Sequence, residues 1–104
     1  MSAYPEKTPL DNPFPGALNI MKKELAKSLD SFIYQFEHAN HDKFALSRGL
    51  RLSEALMMER SKEIGGKLYT SMQKLMQAAT DYANGHGKIE SIYTFLEEVK
   101  RDLR

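Results

Sequence analysis

Apolar residues recur along this chain at helical rather than strand spacing. Leu25, Leu29, Phe32, Phe36 and Ala39 follow one another at intervals of 4, 3, 4 and 3, with Met21 and Ile33 alongside. Lys22, Lys23, Lys27, Asp30 and Glu37 lie mostly off that line, so the segment reads as an amphipathic helix with one face turned to a core. Proline's fixed φ suits a first helical turn, which places the start near Pro15 to Ala17. The polar cluster His38, Asn40, His41 and Asp42 interrupts the pattern and ends the helix there, and Asn40 or Asp42 is a ready cap for the next one.

A second helical stretch runs from about Lys43 to Asn84, its stripe marked by Leu46, Leu50, Met57, Ile64, Leu68, Met72, Leu75, Ala79 and Tyr82. Ser53, with Leu52 and Met57 as a staple, offers a fresh start inside it. Gly65 and Gly66 offer a turn. Two helical glycines cost about 1 kcal/mol each relative to alanine, yet the apolar register passes through them from Ile64 to Leu68, and Lys67 and Leu68 supply no cap. The pattern therefore favours a continuous or kinked helix over a turn. Gly85 and Gly87 close the stretch, glycine being suited to the left-handed residue past a helix end. Ile89, Ile92, Leu96, Val99 and Leu103 then predict a last helix over residues 88–103, with Lys100, Arg101 and Arg104 where the helix dipole favours cations.

The expected fold is all-α, a small antiparallel helical bundle: three helices with a long central one, or four if the chain turns at Gly65-Gly66. At 1.5 Å per residue the three helices would measure about 35, 64 and 24 Å, so the outer two would fold back along the middle one and leave much of its stripe for a second copy. Residues 17–104 form the single helical domain. Residues 1–16 hold all four prolines, Pro5, Pro9, Pro13 and Pro15, and read as a flexible arm, since each ring removes an amide donor and restricts its predecessor.

Composition narrows the function. A chain of 104 residues has room for one core, and 15 basic against 14 acidic residues leave a net charge of +1, which draws the chain to neither nucleic acid nor an anionic membrane. With no cysteine, thiolate metal sites, disulfides and cysteine nucleophiles fall away. Neither a secretory leader nor an apolar run long enough to span a bilayer is evident, so a cytoplasmic location without membrane attachment is the expectation.

Catalytic patterns are missing too. His38 and His41 flank a short polar loop beside Glu37 and Asp42, but the long-helix reading puts His86 at the opposite end of the molecule, so no metal site is expected. Glu-x-x-His, a phosphate loop and a Gly-x-Ser-x-Gly elbow do not occur. No enzyme and no cofactor are expected. In the arm, Asn12-Pro13-Phe14 reads like the short peptide recognised by endocytic adaptor domains; Phe14 and Leu10 packing over the first helix, or staying loose, is the simpler account.

Two functional readings remain. The first is a non-enzymatic protein-interaction module, an adaptor, small regulator, inhibitor or assembly subunit, binding protein partners that include itself as a homodimer. Its candidate contact residues are Leu46, Leu50, Met57, Met58, Ile64, Leu68, Met72 and Met76, because methionine suits adaptable surfaces and Met57 and Met58 point about 100° apart, giving a face wider than one neighbour needs. The second is a small DNA-binding regulator with a degenerate helix-turn-helix around residues 44–58, resting on the small residues Ala45 and Gly49. Glu54, Glu59 and Glu63 in its would-be recognition helix repel phosphate, and Arg48 stands where such motifs want an apolar residue.

Overall fold

The computed structural model describes residues 15–104, in which the chain forms α1 (Pro15–His38), α2 (Lys43–Ile64), α3 (Gly66–Ala83) and α4 (Ile89–Leu103). Of the arm expected over residues 1–16, residues 1–14 lie outside the described residues, and positions 15 and 16 already belong to α1. Each helix buries the stripe read from its sequence: Leu25, Leu29, Phe32, Ile33 and Phe36 from α1, Leu46, Leu50 and Met57 from α2, Leu68, Met72, Leu75 and Ala79 from α3, and Ile92, Leu96 and Val99 from α4. Removing one such side chain, for example by Leu75→Ala, costs about 2–5 kcal/mol, because the cavity left behind adds to the lost transfer energy.

Contacts between helix ends show that every connection reverses the chain. Arg60 near the end of α2 pairs with Glu24 near the start of α1 at 2.6 Å. Tyr82 at the end of α3 donates its hydroxyl to the carbonyl oxygen of His41, just before α2, at 2.9 Å. Ser71 at the start of α3 donates to Asp102 at the end of α4, and Lys74 lies 3.8 Å from Glu98 one turn further along. The helices thus run up, down, up and down in an all-α antiparallel bundle. Ser71's hydrogen bond holds the Asp102 carboxyl below the ordinary carboxylate range against the opposing effect of desolvation, helped by Arg101 and Lys67.

The long central helix does not form. Gly65 stands at φ 82°, ψ −169°, and Gly66 at φ 65°, conformations open to glycine and strained for any residue with a β-carbon. Gly65 ends α2 by donating its N–H to the Ser61 carbonyl at 2.8 Å, and α3 begins at the next residue. The apolar register survives the break because the stripes on both sides of it face the same core. At about 36, 33, 27 and 22 Å the four helices shorten along the chain, and none approaches the length of about 64 Å expected of an uninterrupted central helix. This chain's own helices therefore cover the stripe that one uninterrupted helix would have offered to a second copy.

Two alternatives that the sequence left open are not built either. No turn interrupts residues 44–58, which lie wholly inside α2, so the helix-turn-helix is not built. Ser53 is no cap: its hydroxyl donates back to the Gly49 carbonyl at 2.7 Å within the helix. The cap of α2 is Asp42, whose carboxylate accepts the Ala45 N–H at 2.8 Å.

The glycine turn can be tested by the sign of a stability change. Gly65→Ala should destabilise the bundle by about 1–3 kcal/mol in urea unfolding, because alanine resists the observed backbone angles. In an uninterrupted helix the same substitution would stabilise by about 1 kcal/mol. Gly16→Ala is the control, since a β-carbon there meets nothing within 4 Å.

Candidate interaction surface

Of the eight contact residues expected from the sequence, Leu46, Leu50, Met57, Leu68, Met72 and Met76 are buried among this chain's own helices. Met58 and Ile64 are half-buried at the edge of the same core. The wide apolar face of α2 has an internal explanation: its neighbours are α1 on one side and α3 on the other. Met57 is fully buried at the bottom of the α1–α2 groove, whereas Met58 borders the seam with α3 beside Met76.

The large apolar side chains left in water are different ones. On α2 they are Leu52, 82% exposed, Phe44, 68%, and Leu56, 46%. These three and Arg48 occupy positions 44, 48, 52 and 56, a row that drifts about 40° round the helix at each step of four. The later half of the row, Leu52 and Leu56, borders a groove of about 400 Å³ between α1 and α2. Phe32, Gly49 and Met57 line its depth, with Lys27, Ser28, Ser31 and Gln35 along α1 and Leu52, Ser53 and Leu56 along α2. A β-carbon on Gly49 would sit 3.4 Å from the Phe32 ring. That is ordinary contact distance, so glycine at this mid-helix position gives up helix propensity without the packing requiring it.

At one end of the bundle the α1–α2 connection is held by residues from the other two helices. Asn40 and His41 both take left-handed angles, φ 57° and 60°, which places the His41 ring edge-on to Phe36 with centroids 4.8 Å apart. Tyr93 of α4 donates its hydroxyl to the Glu37 carboxylate at 2.7 Å. With that proton committed, the 3.1 Å contact between His41 Nε2 and the Tyr93 oxygen requires Nε2–H to be the donor. Lys43 lies 4.6 Å from the centre of the Tyr82 ring, a cation–π contact.

His38 stacks on Tyr34, ring centroids 3.7 Å apart, and its Nδ1 contacts the Tyr34 carbonyl. The connection carrying His86 lies at the same end of the bundle as His41, not the opposite end, because α3 returns alongside α2. Even so, no group of three or more His, Asp or Glu side chains among the described residues is placed to hold a metal ion.

Burial pushes the Tyr93 hydroxyl up from 10.0 to about 12, and the hydrogen bond and negative charge of Glu37 add to the effect. The fold thus favours the neutral phenol. Its contribution to stability is fully present below pH 10, the value of an unfolded tyrosine, and is lost as pH rises towards about 12. Ultraviolet titration should therefore resolve one phenol ionising near 12 that disappears in Tyr93→Phe. The variant should also lose about 1 kcal/mol at neutral pH through the hydrogen bonds removed.

When the chain is compared with protein families, with curated proteins and with solved structures, it matches none of them.

Proposed function

We propose that this chain is a non-enzymatic protein-interaction module whose contact surface is the outer face of α2 and its groove with α1. The observation that supports this most directly is Leu52, a large aliphatic side chain left 82% exposed in the middle of a regular helix. Phe44 and Leu56 share its row, and the recess beside Leu52 and Leu56 gives a partner's side chains somewhere to go. Burying the part of each that remains exposed would yield at most about 1.5–3 kcal/mol apiece, and least for Leu56. That sum is comparable with the freedom lost when two proteins associate, so the groove and its rim must supply the remainder of a specific affinity.

DNA binding through this face is the competing outcome, since Arg48 and Arg51 are both exposed on α2. A single helix lacking the helix-turn-helix geometry offers it little support. No helix among the described residues is long and apolar enough to cross a membrane.

The test places a photo-crosslinking amino acid at position 52 in cells, with position 94 on α4 as control. A protein captured from position 52 alone, another molecule or a second copy of this chain, is then purified and its affinity measured with wild-type protein and with Leu52→Glu at 50 and 200 mM salt. At least tenfold weakening by Leu52→Glu is expected, about 1.4 kcal/mol, with unchanged helix content and modest salt dependence. The reading fails if the protein instead binds duplex DNA with an affinity that falls about a thousandfold over that salt range, depends on Arg48 and Arg51, and is indifferent to Leu52.

A further inference from the structure

Independently of the interaction reading, whose outer face of α2 takes no part in it, we propose that Gly65 and Gly66 form a hinge through which two copies of this chain exchange their α3–α4 hairpins. In the exchanged dimer α2 and α3 join as one helix of about 60 Å. Two such helices lie antiparallel, and each four-helix unit holds α1 and α2 of one copy with α3 and α4 of the other.

The contacts make the exchange conservative. Each hairpin holds itself together: Arg60 pairs with Glu24 inside α1–α2, while Ser71 bonds Asp102 and Lys74 lies beside Glu98 inside α3–α4. What joins one hairpin to the other is the shared apolar core, together with Tyr82 donating to the His41 carbonyl and Tyr93 donating to Glu37. All of these are rebuilt between copies, because α3 runs antiparallel to α2 in both arrangements. On one straight helix Leu46, Leu50, Met57, Leu68, Met72 and Leu75, all buried, fall within an arc of about 80°. Straightening therefore keeps the buried faces of α2 and α3 in line.

The hinge is built for the change. Gly65 alone separates α2 from α3, and short connections of this kind favour exchange between copies. Glycine takes left- and right-handed angles about equally, so leaving φ 82° and 65° for helical values meets little local resistance. Space is open as well, since a β-carbon on Gly66 would meet nothing within 4 Å. The other two connections are fastened: Tyr82 and Tyr93 hold His41 in the first, and in the second a β-carbon on Gly87 would come within 2.9 Å of the Tyr82 nitrogen. The dimer also gains contacts. Leu18 and Met21 continue the stripe of Leu25 on α1 yet are only half-buried. Measured from the Arg60–Glu24 pair, they stand at and just past the last turn of α2. A straightened helix runs on alongside them, and the apolar area it covers offsets part of the freedom lost on association.

The experiment refolds the full-length chain from urea at low and at high micromolar concentration and measures its mass by sedimentation. Dimer should form at the higher concentration. Gly65→Ala with Gly66→Ala, which disfavours the turn and favours the helix, should raise the dimerisation constant at least tenfold, whereas a flexible Gly-Ser-Gly-Ser insertion between the two glycines should keep the chain monomeric. Because the chain has no cysteine, spin labels can be attached specifically in Glu54→Cys with Gln77→Cys, two positions that line one recess between α2 and α3. With labelled chains diluted in unlabelled ones, pulsed electron paramagnetic resonance of the dimer should read about 35 Å, the rise of one helix from position 54 to 77. The closed monomer reads a much shorter distance. Wild-type protein that stays monomeric after refolding at high concentration overturns the proposal and needs no variant to fold. A dimer that keeps the short distance is a surface dimer and overturns it too, as does a double-alanine variant that folds as a monomer at both concentrations. None of these outcomes involves Leu52, so the interaction reading is tested separately.

Discussion

The two left-handed glycines at 65 and 66 are the constraint from which the arrangement of the bundle follows. By turning the chain back at that point they set α3 against α2, and three consequences follow together. The stripe shared by the two helices becomes internal. The end of α3 arrives beside the start of α2, so that Tyr82 reaches the His41 carbonyl. Helix α4, packed on α3, is then carried round until Tyr93 meets Glu37 on α1, closing the bundle's fourth side at that end.

At the opposite end from the glycine turn, polar and aromatic groups hold what the apolar stripes cannot. A hydrophobic core is non-directional and sets few exact contacts, but the knot of Phe36, Glu37, His41, Tyr82 and Tyr93 brings the α1–α2 connection, α3 and α4 to one point through directed hydrogen bonds. It also holds Asn40 and His41 at backbone angles that residues with side chains seldom adopt. This anchors α1 and α2 to each other just beyond the groove, so the trough is a preformed feature between two fastened helices. The other limit of the trough is marked by the ion pair of Arg60 with Glu24, both partly exposed, where such a bridge contributes little to stability.

The outer face of α2 is where the physics of folding leaves something unspent. A helix with neighbours on two sides needs one broad apolar arc, and Leu46, Leu50 and Met57 supply it. Phe44, Leu52 and Leu56 lie outside that arc and add nothing to the core that the buried residues do not already provide. Gly49 points the same way, since alanine would favour the helix and would stand at ordinary contact distance from the Phe32 ring. Apolar residues in water and a glycine in a helix are both disfavoured locally, and they occur side by side along one groove.

By itself the sequence determined the helices, the inward face of each, the capping region before α2 and the absence of a recognisable catalytic pattern, because all of these depend on neighbours within a turn or two. The direction in which α3 leaves Gly65 was decided only in the tertiary structure. Periodicity cannot distinguish one helix from two whose stripes face the same core, and the preserved register from Ile64 to Leu68 suits both. The same ambiguity turned the wide methionine-bearing face into an apparent contact surface, when two internal neighbours account for it. Phe44, Leu52 and Leu56 were visible as apolar residues at spacings of eight and four. Their exposure became legible only once α1 and α3 had occupied the other sides of α2, because which part of a helix stays in water is settled by where its neighbours pack.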